Sequence, residues 1–221
     1  MAVAVISDLH LGLGDASDVF GHDDERFLRF LSTLEDSFEQ IVLLGDVWET
    51  LTARGPLRPA EGLRRAREAH PELARRFERP AYVYVHGNHD LVARDVDRAP
   101  EELVLTLGGV RILLTHGHLQ DPLVRHARWV SETGVYLGAL LLRAGLAPVQ
   151  RLFAAADRLR EGASTDPASC PFQRWAVDRA RRREADVVVT GHTHRAAREE
   201  HAATLFLNSG SCAGGRFSFL A

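Results

Sequence analysis

Short runs of Val, Ile and Leu recur along the chain at Ala2–Ile6, Ile41–Leu44, Ala81–Val85, Val110–Leu114, Val187–Val189 and Thr204–Leu207. Each is brief and largely apolar on consecutive positions, which predicts strands covered on both faces rather than strands with one wet side. Between them the period changes. Asp24–Leu34 sets Phe27, Phe30, Leu31 and Leu34 at i, i+3, i+4 and i+7, and Ala60–Phe77 carries Leu63, Ala66 and Leu73 on one side of an Arg/Glu-rich segment. Both read as amphipathic helices. Strands alternating with helices predict an α/β layered fold.

The middle of the chain departs from this alternation. From Leu119 to Glu184 no strand run occurs, and Trp129–Val130, Tyr136–Leu137, Leu140–Leu142 and Leu152–Phe153 repeat at helical spacing. The segment holds eleven Arg against seven acids, while the whole chain has a net charge of −3, so the remainder carries −7. Two readings fit: a helical insertion or lid over an acidic site, and a plain helical crossover. The organisation expected is one domain over residues 1–221 with a helical insertion at about 119–185.

Composition narrows the class. At 221 residues, 45% hydrophobic and 26% charged, the chain has the make-up of a soluble globular domain with a sizeable core. The mild acidity gives no footprint for nucleic acid, and no nucleic-acid partner is expected. All 27 basic residues are Arg, a bias that carries no functional meaning by itself. Cys170 and Cys212 are too few and too far apart for a disulfide framework or a zinc knuckle. The opening Met1–His10 lacks a basic region and meets a charge at Asp8, unlike a signal peptide, and the apolar stretch Val135–Leu142 is too short to span a bilayer. The expected location is the cytoplasm, with peripheral contact at the inner face of a membrane as a further option.

The chemistry gathers where strands end. Ser7-Asp8-Leu9-His10 follows the first run, Gly45-Asp46 the second and Gly87-Asn88-His89-Asp90 the third; Thr115-His116-Gly117-His118 and Gly191-His192-Thr193-His194 follow two later ones. In α/β sheets, ligands sit beyond the carboxyl ends of strands, where such loops converge. Carboxylate, amide and imidazole groups suit Mn, Fe, Zn or Co, and two such ions clamp the entering and leaving oxygens of a phosphoryl displacement. Strand alternation is expected to send Asp8 and His10 to one side, and likewise His192 and His194. Gly45, Gly87 and Gly191 are expected to let the backbone turn sharply ahead of the ligands. Asp46, alone after its strand, is the natural bridge between two ions.

In this order, DLH, GD, GNHD, HGH and GHTH resemble the calcineurin-like metallophosphoesterases, from residue 4 to about 210. The resemblance implies a four-layer α/β/β/α sandwich and two divalent metals, manganese foremost, bridged by a hydroxide that attacks phosphorus. It implies Asp8, His10 and His194 at one metal, Asn88, His116 and His192 at the other, and Asp46 between them. It gives His89 the role of stabilising the transition state or protonating the leaving oxygen, with Asp90 orienting its ring. SDLHLG, LLGDVWE, VHGNHD and GHTHR are similar to the UDP-2,3-diacylglucosamine pyrophosphatases of lipid A synthesis, whose helical insertion covers a lipid-binding cleft and occupies the interval of Leu119–Glu184. That implies a phosphorylated small-molecule or lipid-linked substrate, with Arg125, Arg128, Trp129 and Arg195 as candidate contacts. The chain departs from those enzymes at His89, where they carry Arg, and at His118, which replaces the usual acid.

The remaining polar residues have two readings each. Glu49 reads as a group reaching substrate or bracing a ligand, or as an acid at a helix start. His118 alternates with His116 across a glycine and reads as lining the site or as packing. Asn208–Ser211 reads as a supporting loop or a simple turn, His86 as structural, and His22, His70, His126 and His201 as solvated. A nuclease and a cyclic-nucleotide phosphodiesterase are alternative activities within the same superfamily. A metal-free scaffold, as in the retromer subunit with this fold, is the non-enzymatic alternative. Against it, every ligand position carries a competent residue.

Overall fold

The computed structural model describes residues 1–52, 58–121, 124, 128–145 and 170–221. Its elements run β1 (Val3–Ile6), α1 (Asp24–Ser37), β2 (Gln40–Leu44), α2 (Pro59–Ala69), α3 (Pro71–Phe77), β3 (Tyr82–Val85), α4 (Ala93–Val96), β4 (Glu102–Leu107) and β5 (Val110–Thr115). A 3₁₀ turn at His118–Gln120 follows, then α5 (Arg128–Arg143), α6 (Pro171–Arg182), β6 (Val187–Thr190), β7 (Ala197–His201) and β8 (Thr204–Asn208).

The strands form two sheets. One is parallel with order β1-β2-β3, and the other has order β4-β5-β6-β8-β7 with β5, β6 and β8 parallel and β4 and β7 antiparallel at its edges. Side-chain alternation splits each strand between two cores. Val5, Val42, Leu44 and Val85 meet Leu114 and Val189 between the sheets. Ala4, Ile6, Ile41 and Leu43 face outward against Phe27, Leu31, Leu34, Leu63 and Leu73 of α1–α3. On the far side Leu113, Val188 and Phe206 pack on Ala176, Val177 and Ala180 of α6. The result is the expected α/β/β/α sandwich, with strands apolar at consecutive positions because both faces are covered.

Several sequence expectations are corrected. Ala60–Phe77 is two helices, because Pro71 lacks an N–H and constrains His70 to φ −125°, ψ 62°, outside the helical region. The edge strands β4 and β7 are additional to the six runs. β4 forms a hairpin with β5 across Gly108-Gly109, both at positive φ, with Leu107 opposite Val110. β7, Ala-Arg-Glu-Glu-His, is charged, as suits an exposed sheet edge. Of the histidines read as solvated, His70 is buried and bonds Asp24 at 2.7 Å, and His22 lies within hydrogen-bonding distance of the Cys212 and Arg216 carbonyls; His126 lies outside the described residues.

In the interval 119–185, α5 and α6 are the helices among the described residues. α6 belongs to the outer layer; α5 is fastened by Arg143, which donates to Asp15 at 2.8 Å and to the Thr52 carbonyl at 2.8 Å. α5 leaves Trp129, Val130, Leu137, Leu140 and Leu141 exposed. No helix among the described residues is long and apolar enough to cross a membrane.

Candidate metal centre

Loops beyond the carboxyl ends of β1, β2, β3, β5 and β6 converge on one spot. They are stitched by backbone bonds: Asp8 N–H to Gly45 O (3.1 Å), His10 N–H to Asp46 O (2.9 Å), Gly191 N–H to His116 O (3.1 Å) and Thr50 N–H to His89 O (3.3 Å). Convergence does not arise from strand pleating, as the alternation argument supposed. β1 ends at Ile6 and β6 at Thr190, and Asp8, His10, Asp46, His192 and His194 all adopt left-handed backbone with φ between 51° and 67°. Among the described residues only eight non-glycine residues do so, and five of them are these candidate ligands. Such conformations cost about 1–3 kcal/mol each and persist where surrounding contacts impose them.

The glycines serve close approach more than turning. Gly45 does take φ +81°, but a Cβ there would also lie 2.4 Å from the His116 ring. Gly87 and Gly191 have ordinary φ. A Cβ on Gly87 would lie 2.2 Å from Asp46 Oδ1, and one on Gly191 2.6 Å from Asp8 Oδ2. The carboxylates occupy the space that side chains at these positions would fill.

Two groups of ligand atoms result. Asp8, His10 and His194 form one, with Asp8 Oδ1 3.1 Å and His10 Nε2 3.2 Å from His194 Nε2. Asp46, His116 and His192 form the other. Asp46 Oδ1 accepts the His89 N–H at 2.9 Å, which leaves Oδ2 3.2 Å from His116 Nε2 and 3.8 Å from His10 Nε2. One carboxylate oxygen therefore faces a member of each group. His116 Nδ1 donates to Leu44 O at 2.9 Å, which fixes the ring and turns Nε2 inward. His116 Nε2 and Asn88 Oδ1 are buried with no hydrogen-bond partner. Orphaned acceptors among buried carboxylates and imidazoles fit divalent cations of the Mn, Fe, Zn or Co type.

The electrostatics agree. Burial opposes the charge on Asp46, but His116, His89 and His10 outweigh it and hold its carboxyl well below the usual range. Asp8 is lowered by His194 and His116 against the same burial. Burial likewise pushes the His116 imidazole down, and Asp46 and Asp8 overcome it, raising the ring to about 9. His192, with burial and His116 both against its charge, falls to about 4. The site thus concentrates negative potential that draws in positive charge.

Asp90 does not orient His89. It is fully buried and accepts from the backbone N–H groups of Val47 (2.6 Å), Gly87 (2.6 Å), Asp46 and Trp48 (both 3.3 Å), and from the Tyr84 hydroxyl at 2.6 Å. Asp90 ties the second and third loops together. Glu49 carries the orienting role instead. Its Oε2 lies 2.7 Å from His89 Nδ1 and 3.4 Å from His10 Nδ1, while Oε1 accepts the Leu51 N–H at 3.0 Å. Glu49 is 4% exposed, and no helix among the described residues begins at it, so it is not a helix-start acid. Burial disfavours its charge, yet His89 and His10 hold it down at about 2; burial also disfavours charge on His89, which Glu49 and Asp46 raise to about 10.

The other candidates divide. His118 is buried between the rings of His86 (5.7 Å) and His116 (5.6 Å), and burial lowers it to about 2. Trp129 is 72% exposed and Arg195 is exposed. Arg125 and the side chain of Arg128 lie outside the described residues. Asn208–Ser211 is more than a turn: Asn208 donates to Gly191 O at 2.6 Å, Ser209 Oγ meets Ser7 Oγ at 2.7 Å, and Ser211 Oγ donates to Asp8 O at 3.0 Å. Ser7 Oγ in turn donates to Asp8 Oδ2, and His192 N–H donates to the same oxygen at 3.1 Å. These supports leave no periodic trace in the sequence; Glu49 had only its place three residues past Asp46.

The chain is similar to several known proteins. UDP-2,3-diacylglucosamine hydrolase of Shigella dysenteriae serotype 1 is 29% identical over 213 residues, covering 90% of this chain and 85% of that protein. Among solved structures, the phosphoesterase YfcE from E. coli is 21% identical with a TM-score of 0.44, covering 96% of this chain and 81% of the other. Zinc-complexed Vps29 from Entamoeba histolytica is 18% identical with a TM-score of 0.46, covering 96% and 74%. Residues 1–196 match the family described as calcineurin-like phosphoesterase. That match takes in all five metal-type loops, and the chain belongs to the calcineurin-like phosphoesterases, hydrolases of phosphoesters built around divalent-metal ligands.

Proposed function

We propose that the chain is a dinuclear metal-dependent hydrolase of phosphodiester or pyrophosphate bonds, acting on a nucleotide-linked, lipid-bearing substrate. The observation that carries the dinuclear reading is Asp46 Oδ2, one oxygen set between His116 Nε2 and His10 Nε2. Asp8, His10 and His194 would hold one ion and Asn88, His116 and His192 the other, with Asp46 shared. When bound, the ions, manganese foremost, would supply an acidified water and neutralise charge on the phosphoryl oxygens.

The chain's own groups do the rest. Glu49 holds His89 Nδ1, so Nε2 is the nitrogen left to present a proton to the leaving oxygen. The same carboxylate keeps the ring charged through neutral pH, and the imidazolium also offsets charge developing on phosphorus. Asp90 keeps the Asp46 and His89 loops in register through four backbone amides.

The substrate reading is supported by the UDP-2,3-diacylglucosamine hydrolase relative and by the bare apolar face of α5, whose Trp129, Leu137 and Leu140 suit an acyl chain. The same face would serve peripheral contact with a membrane. The test is turnover with added Mn²⁺ of bis-p-nitrophenyl phosphate, a phosphomonoester, a UDP-sugar and an acylated UDP-sugar. Preference for the acylated nucleotide sugar, lost in Trp129→Ala/Leu140→Ala while diester turnover persists, supports the lipid reading. Equal turnover of the acylated and plain UDP-sugars refutes it. A chelator-insensitive activity refutes the metal reading.

A further inference from the structure

A third group of ligand atoms lies beside the two already assigned: His10, Glu49 and His89 each offer one, all within 4.8 Å of one another, and Glu49 Oε2 faces Nδ1 of both rings. None of these atoms belongs to the proposed catalytic pair, since His10 turns its other nitrogen, Nε2, toward His194 and Asp46. The three residues are held from different sides. Glu49 is pinned by the Leu51 N–H, His89 by its backbone bond to Asp46, and the His10 and His89 rings meet edge to face at 4.6 Å.

Two imidazole nitrogens and one carboxylate oxygen form a donor set for zinc, with the fourth position left to water. Ligands about 2.1 Å from a tetrahedral ion lie about 3.3–3.5 Å apart. The His10 Nδ1 to Glu49 Oε2 separation is 3.4 Å, already in that range, and the 2.7 Å His89 contact must open.

We infer that these three residues form a third, inhibitory cation site, selective for zinc, that fills when zinc exceeds what the catalytic pair takes up. The inference rests on the dinuclear reading, because it uses the second nitrogen of a histidine that reading already employs. Zinc bonds to the Nδ1 lone pair of His89, and the proton that nitrogen shared with Glu49 leaves to solvent. His10, keeping its Nε2 on the first ion, likewise sheds its Nδ1 proton and bridges as an imidazolate. Proton release at both rings makes this site weaker than the other two, so it acts only at excess metal. Once filled, it ties the His89 ring to the ion and takes away the carboxylate that orients it, so Nε2–H is no longer aimed at the leaving oxygen.

The test is equilibrium dialysis of chelator-stripped protein against graded Zn²⁺, with bound metal counted by elemental analysis for wild type, Glu49→Gln, His89→Asn and Asp46→Asn. Wild type takes up two tight equivalents and then a weaker one, and hydrolysis of bis-p-nitrophenyl phosphate falls as that last equivalent binds. Glu49→Gln and His89→Asn, each checked for native circular dichroism, retain the tight pair and lose the weaker equivalent. A weaker equivalent that persists in both variants, or never appears in wild type, overturns the third site. Fewer than two tight equivalents in wild type, or an Asp46→Asn that keeps both, overturns the dinuclear reading instead.

Discussion

Glu49 and Asp90 are both buried carboxylates within reach of the same loops, yet their partners predict different phenotypes. Glu49→Gln removes the charge that holds His89 protonated; kcat falls about 10–100-fold, as for other groups that brace a site. The sign of its pH effect is fixed. A histidine raised to about 10 by a carboxylate loses its proton at lower pH when that charge is removed, so the alkaline limb of the kcat profile moves down. An unmoved limb would show that His89 is not the donor. Asp90→Asn acts on backbone instead, since its amide nitrogen cannot accept from N–H groups. The expected outcome is a stability loss of about 1–3 kcal/mol by urea denaturation, which Glu49→Gln does not share. The sequence displayed both acids but not what each served, because Glu49 lies 40 positions from His89 and Asp90 at least 42 from the Asp46, Val47 and Trp48 amides, separations that leave no local pattern. The ligands were legible for the opposite reason: each follows its own strand directly.

At the scale of the element, the loops depend on missing side chains. Gly87→Ala would drive a Cβ to 2.2 Å from Asp46 Oδ1 and 2.6 Å from its backbone nitrogen. Metal content and activity should fall together while the far-ultraviolet circular dichroism stays native, since no strand or helix passes through residue 87. Full metal content in that variant would mean the loop has room that its geometry denies. Strands with both faces buried were visible as unbroken apolar runs, and α1 from its 3.6 period. β7 was not, because an exposed edge is stabilised by pairing with β8 while its side chains stay charged. β4 was legible in principle: Gly108-Gly109 between apolar runs is the mark of a two-residue hairpin.

For the whole molecule, the two sheets share one core, and the candidate ligands come from loops of both. Leu44→Ala, in that core, should cost about 2–5 kcal/mol and loosen ligands contributed by either sheet. Chelation is the reciprocal experiment. Stripping cations leaves Asp8 and Asp46 buried in one site with neutral hydrogen-bond donors and imidazolium protons in place of divalent charge, so Tm should drop and recover when Mn²⁺ is restored. An unchanged Tm after verified metal removal would count against cation binding in the native state. The C-terminal residues join this unit as well: Leu220 exchanges two backbone hydrogen bonds with Val5, at 2.9 and 3.0 Å, along the outer edge of β1.

The left-handed backbone at Asp8, His10, Asp46, His192 and His194 makes activity and robustness pull in opposite directions. Glycine at any of these positions relaxes the chain locally while deleting a ligand. In cation-free protein such variants should resist heat better than the parent, and with Mn²⁺ supplied the order should reverse, because the intact site alone gains from the ions. The same five residues therefore make heat resistance depend on which metals the medium holds.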